Sequence, residues 1–350
     1  MPLKGGNEMN VSIELVKEVL VYLAEIYLKE DDQILFVIDQ PFADIPVEPM
    51  FVAWPHDVVV IPKVERPGQD YELDESLLKD KTVGWLISSV SISHAQSTKK
   101  MIDAGLFLIS NPNITPDWPA TLTREANIIC AYRAHHLLSF MSGGKEDVNP
   151  GGKIKVSDDY GTMLTLSVPA NNWDTEIGDR EGMGTNGPFG ELANIPYDAN
   201  GVYVLCPGDW LTNPINEVTE EIRLTIKGNL VVDIQGGEQA EQLRQVLKKA
   251  DNLLAYSLGE FSIQLNPFKP DKLYTSVIAE KLEGGMHLAI GSNHMLIKDT
   301  CPPEERAKLN FGVYDAGVHI DCITFGKKVE WNKKENSSLV LLNKGRLIVR

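Results

Sequence analysis

The sequence predicts an α/β N-terminal domain with an open, largely parallel sheet, followed by an α+β domain with a mostly antiparallel sheet. Three observations predict it. Short unbroken apolar runs alternate with helical periodicity up to residue 141, as in strands buried on both faces by helices. A Gly-, Pro- and charge-rich stretch, SGGKEDVNPGGK at 142–153, then interrupts the pattern. Beyond it, strand-length segments follow one another with turn signals between them.

Val11–Leu28 sets Val11, Leu15, Val19, Leu23 and Ile26 at helical spacing. Ile34–Ile38, Val58–Ile61, Val83–Val90 and Leu106–Ile109 have strand length and β-rich composition. Residues 120–141 read as the last helix of this half, with Ala126, Ile129, Tyr132 and Leu137 toward the core. After the break come strands at Lys153–Val156, Met163–Val168, Gly201–Cys206 and Glu221–Ile226. The last pairs with Leu230–Ile234 across Lys227-Gly228-Asn229, and a helix follows at 237–250. A hairpin of Ser338–Leu342 and Arg346–Val349 closes the chain around Asn343-Lys344-Gly345. Residues 171–193 read as a long Gly-rich loop without periodicity, of the kind that serves function, here as a lid.

At 350 residues, two domains are expected, at 1–145 and 150–350. With 43% apolar and 23% charged residues the composition is that of a globular protein. No apolar run has the length of a membrane span, and the first helix carries Glu14, Lys17, Glu18 and Glu25, unlike a signal peptide. A cytoplasmic address follows. Cys130, Cys206, Cys301 and Cys322 show no CxxC spacing and read as buried reduced thiols. The formal charge of −16 excludes nucleic acid and anionic membrane as partners. Lys327-Lys328 and Lys333-Lys334 read as solvated hairpin ends, and no phosphate-loop pattern occurs.

The chemistry-bearing residues gather near the C-terminus. Of seven histidines, three are His287, His294 and His319. In His319-Ile320-Asp321, inside an apolar segment, strand geometry projects His319 and Asp321 from the same face. Their burial is costly unless compensated, by a mutual hydrogen bond or by a divalent cation. His287 lies in the apolar HLAIG run, His294 follows a Gly-Ser-Asn turn, and Glu260 interrupts the apolar stretch from Leu253 to Leu265. Together they form the donor inventory of a one- or two-metal site.

The order LGE (258–260), HLAIGS (287–292) and HID (319–321) resembles the aminopeptidase T/aminopeptidase S family of metallo-aminopeptidases, together with its related 2,5-dihydroxypyridine 5,6-dioxygenase branch. The resemblance extends to Gly161-Thr162 and the KGNLVVDIQGG hairpin. It implies metal ligation by Glu260, His287, His319 and Asp321, with His294 where the aminopeptidases carry a tyrosine ligand. It also implies a homo-oligomer. Two departures stand out. The family's glutamate after an N-x-P segment is missing from Asn194-Ile195-Pro196, with only Asp198 nearby, and Glu260 stands where the dioxygenases ligate iron with histidine. In the other direction, His94 of SISHAQS matches the dioxygenases' acid–base histidine, and Asn194 falls at another of their active-site histidines.

The ligand set makes a metal-dependent hydrolase the first expectation. It would use Zn, Mn or Co to cleave an amide-type bond in a small-molecule or short peptide substrate, with His94, His294 and Asn194 as catalytic groups. An Fe(II) ring-cleaving dioxygenase is the alternative, and a metal-binding scaffold without turnover the third.

Overall fold

The structure is a computed structural model and describes residues 2–3, 11–144, 150–177, 180, 184–212, 215–294, 296–298, 301–334 and 337–348. A short antiparallel pair, Pro2–Leu3 with Val11–Ser12, precedes helix α1 (Ile13–Tyr27), which is capped by the Ser12 hydroxyl accepting from the Leu15 N–H at 3.1 Å. Then come β1 (Ile34–Asp39), β2 (His56–Ile61), β3 (Val83–Ser88), α2 (Gln96–Asp103), β4 (Phe107–Pro112) and α3 (Arg124–Ser142). Every residue of β1, β3 and β4 is buried. Alternate β1 residues enter two different cores: Phe36 and Ile38 pack with α1 and α3, Leu35 and Val37 with Met101 of α2. This is the doubly covered parallel sheet that the unbroken apolar runs foretell. Strand β2, at the sheet edge, is half exposed.

The second half contributes β5 (Gly152–Ser157), β6 (Met163–Val168), β7 (Asp174–Glu176), β8 (Gly184–Asn186), β9 (Glu191–Asn194) and β10 (Asp198–Leu205). It continues with β11 (Trp210–Leu211), β12 (Asn216–Glu217), β13 (Ile222–Lys227), β14 (Leu230–Gly236) and α4 (Glu238–Lys249). Last come β15 (Leu258–Gln264), β16 (Gly285–Gly291), β17 (His319–Phe325), β18 (Lys328–Lys334), β19 (Ser337–Asn343) and β20 (Arg346–Leu347). One antiparallel sheet runs β12-β11-β17-β16-β15-β9-β7, and a second runs β14-β13-β10-β6-β5-β18-β19-β20. Tyr203 of β10 spans the two, its hydroxyl donating to the Cys322 carbonyl at 3.1 Å.

Four expectations need correction. Segment 171–193 is not a structureless loop: its described residues include β7, β8 and β9. Strand β8 pairs in parallel with β4, so the N-terminal sheet reads β8-β4-β3-β1-β2 and is completed from beyond the expected boundary. Helix α3 turns Ala126, Cys130, Ala134, Leu137 and Met141 inward, while Tyr132 is exposed, because its 19 residues follow one straight stripe. Lys327 is not solvated: it is buried, donating to the Val204 carbonyl at 2.7 Å and paired with Asp158. Cys206 is half-buried, while Cys130, Cys301 and Cys322 are buried and all four are free. Residues 145–149 of the linker, and Val349 of the closing hairpin, lie outside the described residues. No helix among the described residues is long and apolar enough to cross a membrane.

Candidate metal centre

Strands β15, β16 and β17 are neighbours, and their register builds the site. Glu260 pairs with Ala289, Ala289 with Asp321, and Gly291 with His319. Cross-strand partners share a face, as do residues two apart along a strand. Glu260, His287, His319 and Asp321 therefore project together, with the small Ala289 between the two carboxylates. Glu260 reaches this face through a β-bulge. Leu258 pairs with Ile290 but Glu260 with Ala289, so the register shifts at Gly259 and Glu260 changes sides relative to Leu258. A Cβ on Gly259 would stand 2.4 Å from the Ser292 carbonyl oxygen, so glycine alone fits there.

The donor atoms converge closely. His287 Nε2 lies 3.1 Å from Glu260 Oε1 and 3.9 Å from Asp321 Oδ1. His319 Nε2 lies 3.2 Å from both Glu260 Oε2 and Asp321 Oδ1. His319 Nδ1 is 2.9 Å from the Ser292 carbonyl, which can only accept, so Nδ1 carries the hydrogen and Nε2 is aimed at the carboxylates. Thr212 brackets Asp321: its hydroxyl donates to Oδ2 at 2.8 Å and its N–H to the Asp321 carbonyl at 3.1 Å. All four side chains are nearly buried.

Burial pulls the two imidazoles down, but the facing carboxylates outweigh it. His287 is raised to about 9, chiefly against burial by Glu260, and His319 goes well above its ordinary value through Asp321 and Glu260. Burial likewise pushes the acids up, and the imidazoles override it, holding Glu260 at about 2 and Asp321 well below the usual carboxylate range. Each Nε2 thus faces oxygen acceptors that demand a positive charge between them. Protons on the imidazoles meet that demand in the absence of metal, and a divalent ion would meet it with donors of the right type. Two overlapping groups could hold one: Glu260, His319 and Asp321, and Glu191, Glu260 and His287. The donor set fits a divalent metal.

His94, in the segment after β3, enters the site from the parallel sheet. Its ring stacks on His319 with centroids 4.0 Å apart and planes 12° apart. Burial, reinforced by His319 and His294, holds it well below its ordinary value, and its Nδ1 has no hydrogen-bond partner among the described residues. It is therefore a neutral imidazole with an open nitrogen. His294 is buried beside it, ring centroids 5.9 Å apart, but does not line the cavity described below. Asn194 is also absent from that lining. Its Oδ1 accepts from the Ile195 N–H at 2.8 Å and from Asn172 at 3.1 Å, and its Nδ2 donates to the Pro169 carbonyl at 3.1 Å. Its polar atoms are committed to holding the backbone, which corrects the catalytic expectation. Asp198 is exposed and bonded to Asn200, and does not replace the missing glutamate.

Sequence reading missed Glu191, Thr212 and the buried Lys281 with its partners Glu176 and Glu280. Glu191 did carry a signal: one acid in the apolar run FGELA, the same interruption that singled out Glu260. Burial raises Glu191 and Glu280 to about 7 against the pull of Lys281. A cavity of about 450 Å³ joins these groups. One wall holds the ligand groups. The other holds Ser93, His94, Ser110 and Asn186, from the C-terminal ends of the parallel strands and from β8, where open α/β sheets place ligands. Ser93 Oγ lies 2.8 Å from Ser110 Oγ and 2.9 Å from Asn186 Oδ1.

A family model described as NicX, 2,5-dihydroxypyridine 5,6-dioxygenase, matches residues 134–268. That span contains Glu191 and Glu260 but stops short of His287, His319 and Asp321. Among solved structures, the 2,5-dihydroxypyridine dioxygenase from Pseudomonas putida KT2440 aligns with a TM-score of 0.69 at 15% identity, covering 97% of this chain and 99% of that one. AmpT from Thermus thermophilus aligns with a TM-score of 0.61 at 14% identity, covering 96% of this chain and 99% of that one. No curated protein matches. The chain has the fold that both structures share.

Proposed function

We propose that this chain, built on that shared fold, is a metal-dependent enzyme that opens a small hydroxylated aromatic or N-heterocyclic ring with dioxygen. The match over residues 134–268 and the higher TM-score of the dioxygenase support this branch over the hydrolase expected first. The observation that carries it is His94, a neutral imidazole stacked 4.0 Å from the ligand His319 with Nδ1 open. Ring opening of this kind needs a base at the metal ligands to take the proton of a ring hydroxyl, and later to return it.

Glu260, His319 and Asp321 would hold the ion. An iron(II) there would supply Lewis acidity toward the ring hydroxyl and electrons for dioxygen. The Ser292 carbonyl fixes the His319 tautomer, and Thr212 orients Asp321. Ser93, Ser110 and Asn186 offer neutral hydrogen-bonding groups to a ring substituent. The test is oxygen consumption by iron(II)-loaded protein with 2,5-dihydroxypyridine and related hydroxylated rings. Uptake that depends on iron and ring supports the reading; no uptake from any such ring by a fully loaded protein sinks it.

One observation favours a second reading. The group of Glu191, Glu260 and His287 shares Glu260 with the first, so the two groups together would offer donors to a second ion. Zinc, manganese or cobalt there would suit hydrolysis of an amide-type bond, with His94 or His294 passing a proton to the leaving nitrogen. Release of amine from short peptides by the manganese-loaded protein would favour it.

A further inference from the structure

Lys281 is fully buried, at 0% exposure, although lysine is seldom buried without partners. Its Nζ stands 2.5 Å from Glu176 Oε2, 3.0 Å from Glu191 Oε1 and 3.3 Å from Glu280 Oε1. Carboxylates from β7, from β9 and from the residue just before the lysine form a cage, and the ammonium fills it. Neither ring opening nor hydrolysis calls on this cation.

Its position gives it a task. Glu191 belongs both to the cage and to the ligand group with Glu260 and His287. An ion in that second group would therefore share a carboxylate with the ammonium. Glu191 Oε2 is buried without a hydrogen-bond partner among the described residues, and it is the one oxygen of this residue that the lysine leaves open.

We propose that Lys281 is an internal cation that stands in for a second metal ion and keeps the centre mononuclear. The inference rests on the reading that Glu260, His319 and Asp321 hold a metal. Two ligand groups sharing one glutamate invite two divalent ions. Here the ammonium already pairs with Glu191 and sets a positive charge one carboxylate away from the second ion's place, where low dielectric magnifies repulsion. Without Lys281, Glu176, Glu191 and Glu280 would be buried together with no cation. A protein interior compensates such a cluster with protons or with a metal. Replacing the lysine by a neutral side chain of similar length thus converts the cage and the second ligand group into one vacant cation site.

Metal-stripped full-length protein is titrated calorimetrically with Mn2+, and bound metal is counted per chain after gel filtration. The wild type is expected to bind one tight equivalent, Lys281→Met two, and Lys281→Arg one. The double variant Lys281→Met/Glu191→Gln is expected to return to one. Lys281→Gln replaces the methionine variant if circular dichroism shows that the latter does not fold. Two tight equivalents in the wild type overturn the proposal whatever the variants do. So does a folded Lys281→Met or Lys281→Gln that still binds one. No uptake by the wild type overturns the metal reading beneath it as well, which separates the two failures.

Discussion

Thr212 holds Asp321 by three hydrogen bonds: its hydroxyl donates to Oδ2 at 2.8 Å and accepts from the Asp321 N–H at 2.9 Å, and its own N–H donates to the Asp321 carbonyl at 3.1 Å. Partners of this kind set the aim of a ligand without touching the ion. Thr212→Val keeps the shape and removes the hydroxyl, and metal affinity is expected to fall about 10–100-fold, as read by competition with a chelator. An unchanged affinity would show that Asp321 needs no such support. His94 predicts a different pattern. Its imidazole meets the ligands by ring stacking and not by a donor atom, so His94→Gln should leave metal content intact. The turnover number should drop roughly 10²–10⁴-fold, the usual worth of general acid–base catalysis. Loss of metal in that variant would instead make His94 part of the ligand set.

The elements deliver these residues through local backbone decisions. The bulge at Gly259 turns Glu260 onto the face of His287, His319 and Asp321, and the neighbouring Ser292 and Gly291 carbonyls leave no room for a Cβ there. Gly291, at φ 113°, meets the Val318 carbonyl in the same way across β16 and β17. Gly259→Ala must therefore shift the bulge. We expect a loss of about 1–3 kcal/mol in stability, the usual cost of overpacking, together with weakened metal binding, measured by denaturant unfolding and metal titration on one sample. A variant with full metal affinity would mean that Glu260 is aimed by something other than the bulge. On the opposite wall, β8 pairs Asn186 with Ser110 of β4, so the strand contributed late in the chain completes the polar surface that faces the metal ligands.

At the scale of the whole molecule, the metal-free centre ties stability to pH. Glu260 is depressed to about 2, so its contribution is present above the ordinary carboxylate range and lost as pH falls toward 2. His287 is raised to about 9, so its contribution is full below about pH 6.5 and disappears as pH rises through 9. A metal needs the imidazole unprotonated and gains on the proton as pH rises. The melting temperature gained on adding metal should therefore increase between pH 6 and pH 9, as followed by calorimetry; a gain that shrinks over that range would contradict the assigned ligands. The amino-acid sequence by itself determined the two kinds of sheet, because alternation and unbroken apolar runs are properties of neighbouring residues. It also marked Glu260, His287, His319 and Asp321, because a charged or imidazole group inside an apolar run is visible without a partner. Only the tertiary structure decided that Glu191 joins them, that Lys281 fills the adjoining cage, and that Asn194 is spent on the backbone. Those outcomes depend on strand register, on one bulge, and on contacts between residues a hundred positions apart, such as Lys281 and Glu176, and no local pattern encodes them.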